Sequence, residues 1–394
     1  MITIRDIPEQ EFAGLRNAWN ALLGDARAAS PMLSWEWMFT WWEFYRSLGG
    51  RRQLRLRAAE TDEGRLVGLF PLVRRTVLSH GIPLRRAEFM GTGEPEADET
   101  CSEFLDFIVT PAAEDEAARA FVDRLLLDSD WDELLLSDTP GDRPRSLDAC
   151  VEALREQGAS RPVGIRQTEP VPCPVVALAD DWDRYLATRS RNGRMRVRRK
   201  RRKLEKDFDV TVTWANSPQD IASHFPQLVR LHQQRWQKRG QPGCFAGLTF
   251  TGFLETVSQR LAERGGARLF VLSLNGQPVS AHLLLVEGKR MYHYCTGTDV
   301  DGFGKHGPGD VAFGYILEQA MRDGFEEFHF FKAGRGSYKF LWTDQARPVV
   351  SLRVRRRTVR AAAADTTDAC LRRVREVATR LRPRERAGAK GEAS

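Results

Sequence analysis

The sequence predicts a mixed α/β chain made of two halves with similar patterns. Short apolar or β-branched runs are joined by tight polar turns, as at Thr61-Asp62-Glu63-Gly64 and Asn275-Gly276, the mark of antiparallel hairpins. Segments with apolar residues at helical spacing are interleaved with them. After Pro170-Val171-Pro172-Cys173-Pro174 the pattern of helices and strands starts again. Proline lacks an amide proton and restricts its neighbour, so this segment excludes helix and reads as a connector. A chain of 394 residues has room for two domains. The expected division is residues 1–175, residues 176–350 and a basic, partly helical tail over 351–394.

In the first half, a strand at Ile2–Ile4 precedes a helix over Glu9–Leu23. A second helix follows Ser34, whose hydroxyl is placed to cap the first turn. It carries four tryptophans, Trp35, Trp37, Trp41 and Trp42, which form either a ligand shelf or a face packed on a sheet. Strands are expected at Leu54–Ala59, Leu66–Val77, Leu84–Met90, Glu103–Ile108, Glu133–Ser137 and Val163–Gln167. Helices are expected over Asp115–Leu127 and Leu147–Gln157, the latter stopped by Gly158.

In the second half, helices are expected at Asp181–Ser190, Arg194–Phe208, Pro218–Arg239 and Phe250–Arg264. A strand at Val210–Trp214 lies among them. A three-strand meander follows at Ala267–Leu274, Val279–Glu287 and Arg290–Gly297. A glycine-rich loop then leads to a helix at Asp310–Asp323 and a strand at Glu327–Phe331. The shared order of elements suggests an ancient duplication.

Apolar residues make up 42% and charged residues 29%, enough to bury a core and unlike a disordered polymer. No apolar run is long enough to span a bilayer. The first residues lack the basic-then-apolar layout of a signal peptide, so a cytoplasmic location is expected. The six cysteines are scattered without C-x-x-C spacing and read as reduced core thiols, with no disulfide frame and no metal site indicated. The net charge of +7 is local. Residues 351–394 hold 13 Lys+Arg against 5 Asp+Glu, so the remaining chain is close to neutral. A second basic run, Arg189–Lys203, carries ten cationic residues and no acid. Anion partners are therefore expected only locally.

Three segments carry candidate chemistry. In Lys305-His306-Gly307-Pro308-Gly309-Asp310, glycines stand at the start of a helix, where free amides and the helix dipole favour a phosphate. Lys305, Gly307, Gly309, Asp310 and Val311 are the expected contacts there, with Asp310 as a competing negative charge. In Leu231-His232-Gln233-Gln234-Arg235-Trp236, helical spacing puts His232, Arg235 and Trp236 on one side. His232 is a candidate general base and Arg235 a candidate anion ligand; the alternative is a packed helix face. In Phe330–Trp342 a strand breaks into a basic glycine-rich turn before Tyr338 and Lys339. Tyr338 is a candidate acid for a leaving thiolate and Lys339 a candidate substrate ligand; the alternative is an ordinary loop. Asp299 either holds its loop or binds the acceptor. His282 and Cys295, on alternating strands, read as core residues.

Taken together, these residues resemble GNAT-superfamily proteins of the cellulose-biosynthesis CelD type, relatives of the Fem aminoacyltransferases. The resemblance runs to about residue 350. It rests on Ser34-Trp35-Glu36-Trp37 with Trp41-Trp42, Phe89-Met90-Gly91, Trp182-Asp183-Arg184-Tyr185-Leu186 and Leu231-His232-Gln233-Gln234-Arg235-Trp236. It continues through Gly297-Thr298-Asp299, Gly307-Pro308-Gly309 and Tyr338-Lys339. The sequence departs from the family at His329 and at Lys332–Ser337, where an acidic residue and an Arg-Gly-Asp-Glu-like stretch are usual.

The resemblance implies two GNAT-like lobes in tandem, each a mixed sheet flanked by helices, with the donor site in the second. It implies acyl transfer from acetyl-CoA or another acyl-CoA, without a metal, to an amine or hydroxyl, with a saccharide as one acceptor class. Two alternatives remain open: a Fem-like transferase using aminoacyl-tRNA, and a scaffold without catalysis, suggested by the altered turn before Tyr338.

Overall fold

The computed structural model describes all residues except 29, 143–144, 158–162, 335 and 382–394. Gly158 and Arg335 of the sequence reading lie outside the described residues. In the first half, β1 (Ile2–Asp6), α1 (Glu9–Phe12), α2 (Arg16–Asp25) and α3 (Trp35–Tyr45) precede the meander β2 (Gln53–Thr61), β3 (Leu66–Ser79) and β4 (Ile82–Phe89). Then come β5 (Ile108–Val109), α4 (Glu114–Leu127), β6 (Glu133–Pro140), α5 (Arg145–Gln157) and β7 (Val163–Gln167). The second half holds β8 (Val171–Ala177), α6 (Trp182–Thr188), α7 (Arg191–Asp207), β9 (Val210–Ala215), α8 (Pro218–Gln237) and α9 (Leu248–Ala262). Its meander is β10 (Ala267–Leu274), β11 (Gln277–Glu287) and β12 (Arg290–Thr298), followed by α10 (Pro308–Arg322) and β13 (Glu327–Phe330). The last described elements are β14 (Ala346–Arg356) and α11 (Val359–Leu381).

The sheet shows the repeat that the element order suggested. Its strands run β1-β2-β3-β4-β6-β14-β8-β13-β12-β11-β10-β9. Each half has the same plan: an antiparallel first pair, a meander, and a parallel pair made across a helix (β4 with β6, β12 with β13). Strands β8 and β14 join the halves. The proline-rich segment expected to be a connector is therefore a strand in mid-sheet: β8 pairs with β14 through Val171–Pro174 and with β13 through Val175–Ala177. Proline is tolerated there because the neighbouring carbonyls still accept, as Pro172 does from the amide of Ala333 at 3.0 Å.

Strand β14 runs across residue 350, where the tail was expected to begin. Helix α11 docks through the buried Ala361 and Ala364, and Asp365 and Asp368 accept from Arg355 at 2.9 and 2.8 Å. The side chains of Leu371, Val374, Ala378 and Leu381, expected to line one side of this helix, lie outside the described residues.

Strand Glu103–Ile108 is a second departure from expectation; only Ile108–Val109 pairs. Cys101 and Phe104 have φ values of 49° and 56°, a left-handed backbone that breaks an extended run. The segment instead lies against the ends of β4 and β6, where the amide of Leu105 donates to the carbonyl of Asp138 at 3.2 Å. Leu105 and Phe107 are buried, and Phe107 packs on Phe70, Phe89 and Phe121 at 5.0–5.4 Å.

The tryptophan helix is a packed face, all four rings buried, with α9 of the second half as its main neighbour. Trp37 meets Phe253 of α9 and Tyr294 of β12 edge-on at 5.1 and 5.5 Å. Glu36, fully buried, accepts from Arg16 at 2.9 Å and pairs with Arg264 from the second half at 3.2 Å. Ser34 caps α3 as expected.

On β12, Gly297 lies where a Cβ would stand 2.5 Å from the amide nitrogen of His232 and 2.7 Å from the carbonyl of Leu228. Those are backbone atoms of α8 and cannot swing aside. Gly297→Ala is therefore expected to lower stability by about 1–3 kcal/mol, the usual cost of overpacking. Gly24→Ala, with nothing within 4 Å of its added Cβ, should be neutral or stabilising. Paired thermal melts check both.

Candidate functional site

Strands β12 and β13 pair only from Arg290–His293 against Glu327–Phe330 and then separate. A cleft of ≈ 310 Å³ opens beyond the last pair. One wall is β12 and β11, through Thr296, Thr298 and His282. A second is the entrance of α10, through Gly307, Pro308, Gly309 and Asp310. Arg235 of α8, Arg239 just beyond the end of α8, and Tyr338 also line it.

The entrance of α10 is built for close backbone approach. Gly307 takes a left-handed φ of 63° and Pro308 starts the helix. The amides of Asp310 and Val311 are already bonded to the carbonyl of Gly307, at 3.1 and 3.3 Å. Pro308 has no amide proton, so Gly309 supplies the open donor of the first turn. The Val311 side chain is buried in the core, and Lys305 is exposed and outside the cleft lining. The negative charge of Asp310 is met by Lys200 of the basic helix α7, at 2.5 Å. Asp299 holds the approach to this loop: its carboxylate accepts from the amides of Asp301, Gly302 and Phe303 at 2.8–3.3 Å.

Arg235 and Arg239 stand one helical turn apart. Among the described residues neither has an ion-pair partner, whereas most arginines of the first half are paired. Burial and the like charge of Arg239 push the Arg235 guanidinium below its ordinary range. Two cations this near one another, with no carboxylate in ion-pair contact among the described residues, favour an anion between them and the opposing helix end. Arg239 also lies over the ring of Trp236, 5.9 Å from its centre; Trp236 itself does not line the cleft.

Tyr338 lines the cleft beside Phe313, ring centres 5.8 Å apart, and burial pushes its phenol up to about 12. It therefore stays protonated at neutral pH. Lys339 turns the other way. Its ammonium donates to the carbonyls of Phe331 and Lys332 at 2.7 and 2.9 Å, fastening the end of β13. His232 also faces away from the cleft: Nδ1 is 3.1 Å from Gln233 Oε1, and Nε2 is 3.4 Å from Cys244 Sγ.

His282, read from sequence as a core residue, is buried and also lines the cleft. It hydrogen-bonds Ser280 Oγ at 2.9 Å and His293 at 3.0 Å, and Ser280 reaches Thr298 at 3.1 Å. Burial pushes it down to about 3, so it is neutral. The hairpin register that pairs Ser280 with Thr298 and His282 with Thr296 was the signal that would have placed it at the cleft.

Residues 191–340 match the acetyltransferase (GNAT) domain family, and that span holds every residue of the cleft. No curated protein matches the chain. Among solved structures, FemX superposes with a TM-score of 0.57 at 13% identity, over 89% of this chain and 96% of its own. A conserved protein of unknown function from Bacteroides thetaiotaomicron gives 0.54 at 11% identity, over 90% and 100%. L-PGS from Bacillus licheniformis gives 0.53 at 12% identity, over 91% and 96%. The fold is a tandem GNAT fold of the FemX kind. Identities this low carry the fold and not the substrate.

In this tandem GNAT frame, sequence reasoning also missed Glu103, which the first lobe sends to the turn after β13. It is buried and accepts from the amide of Lys332 at 2.8 Å and from the thiol of Cys173 at 3.4 Å. Burial pushes its carboxyl up to about 7, against the pull of Lys332. Between the ordinary carboxylate range and pH 7 the folded chain then keeps a proton that the unfolded chain has lost. This contribution to stability is complete below about pH 4.5 and fades as pH rises to about 7. Glu103→Gln, which still accepts from Lys332, should remove the dependence. Urea midpoints of both proteins from pH 4.5 to 8 check this, and parallel curves would refute it.

Proposed function

We propose that this chain is an acyl-CoA-dependent acyltransferase of the CelD type, with acetyl-CoA as donor and an amine or hydroxyl, such as that of a saccharide, as acceptor. The observation that carries it is the unpaired Arg235–Arg239 pair facing the open amide of Gly309 across the cleft formed where β12 and β13 separate. A pyrophosphate suits this arrangement: two guanidiniums on one side, a helix end on the other. Lys200 removes the competition from Asp310.

In the proposed reaction the acceptor nitrogen or oxygen attacks the thioester carbonyl carbon. The carbon–sulfur bond breaks and the departing thiolate takes the phenolic proton of Tyr338. Tyr338 recovers a proton from the acceptor atom, now bearing one too many, and the products are acylated acceptor and free CoA. His282 is too weak a base, held neutral and down to about 3, to collect that proton for long. The rate is therefore expected to lack a histidine-like pKa near 6.5.

The test is calorimetry with acetyl-CoA, followed by release of free CoA with a panel of amines and amino sugars. Arg235→Ala should weaken donor binding tenfold or more. Tyr338→Phe should bind normally and lose about 10²-fold or more in kcat. No heat with any acyl-CoA would overturn the reading.

A second reading, transfer from aminoacyl-tRNA, is favoured by one observation. Helix α7 spends Lys200, Arg201 and Arg198 on Asp310, Glu318 and Asp183, yet Arg191, Arg196, Arg199 and Arg202 have no ion-pair partner among the described residues. This face suits a phosphate backbone. Binding of tRNA that falls steeply with salt, alongside no acetyl-CoA binding, would favour it over the first.

A further inference from the structure

On the side of β12 turned away from the donor cleft, three chain segments bring one ligand atom each to a single point. His232 comes from α8, Cys244 from the loop between α8 and α9, and Cys295 from β12; their nitrogen and two sulfurs all lie within 4.8 Å of one another. We propose that His232, Cys244 and Cys295 form a binding site for a soft divalent cation, Zn²⁺ by its ligand chemistry.

The geometry fits the chemistry. Tetrahedral zinc, with bonds of about 2.3 Å to sulfur and about 2.0 Å to nitrogen, sets a sulfur–nitrogen separation of roughly 3.5 Å. Cys244 Sγ is 3.4 Å from His232 Nε2. Gln233 Oε1 lies 3.1 Å from His232 Nδ1 and accepts its proton, which leaves the Nε2 lone pair aimed at the thiols. Such a partner on the far nitrogen is what orients a metal-binding imidazole. The orientation is itself fixed: the Gln233 amide donates to the carbonyl of Pro242 at 2.8 Å, and Phe245 packs edge-on against the ring at 5.0 Å.

His232 and Cys295 are buried, whereas Cys244 is only partly buried, so the ion enters from the loop side and takes water as its fourth ligand. Two thiolates and a neutral imidazole balance its charge. The sequence hid the site because its three residues are far apart and no pair has metal-ligand spacing. A bound ion would tie the loop after α8 to β12, and so hold the end of α8, with Arg235 and the adjoining Arg239, against the cleft.

The test uses the full chain, reduced and stripped with a chelator, then titrated with Co²⁺. The expected result is uptake of one Co²⁺ per chain with a near-ultraviolet thiolate-to-cobalt charge-transfer band, which Zn²⁺ bleaches. Cys244→Ser, a near-isosteric change at a partly buried position, should fold as judged by circular dichroism and lose the band. Zn²⁺ should raise the Tm of the wild type and leave that of the variant unchanged. Absence of the band in the wild type, or its persistence in Cys244→Ser, would overturn the proposal.

Discussion

Everything at the candidate site depends on β12 and β13 parting after four paired residues. A parallel pair that continued would spend its amides on its neighbour and close the sheet. Because it stops, Thr296 and Thr298 face open space, α10 starts at the mouth, and Tyr338 hangs over the gap. Gly297 lets α8 come against the back of the parted strand, and this brings Arg235 and Arg239 to the opening. In the first lobe the corresponding gap between β4 and β6 is occupied by Leu105 and Phe107. Two lobes of one plan thus differ, one open and the other plugged. The plug is not inert, since it carries Glu103 to the turn that precedes Tyr338.

Much of the fold was legible because local chemistry decides it. The Asn275-Gly276 turn, with both residues at positive φ, and the Ser34 cap were readable as short-range signals. What failed to show were the long-range choices. Proline content marks Val171–Ala177 as extended without saying that another strand will lie on each side. The apolar alternation of Glu103–Ile108 looks like a strand until the backbone turns at Phe104. Tryptophan spacing on α3 shows a face to be buried, not that α9 will cover it.

The site was legible by half for the same reason. Gly307, Gly309, Asp310, Asp299, Arg235 and Tyr338, singled out by motif and resemblance, line one cleft. His232 and Lys339 were read from helical spacing and from adjacency, and neither reports which way a side chain turns. Lys339 spends its ammonium on two carbonyls of its own chain. His282 was passed over because an alternating strand puts one face in the core. Here that face is shared between the core and the cleft.

The position of β14 has a consequence for how the chain comes to be folded. Residues 346–356 are synthesised after both lobes, yet they lie between β6 and β8, which are made well before them. Until they emerge, each lobe presents an unsatisfied strand edge to the other and to any neighbouring chain. Long-range pairing of this kind is slow and leaves sticky intermediates in the meantime. The two lobes are thus locked by a strand made after both, like a hinge whose pin is inserted once its leaves are in place, and its pairing turns two nascent half-sheets into a single one.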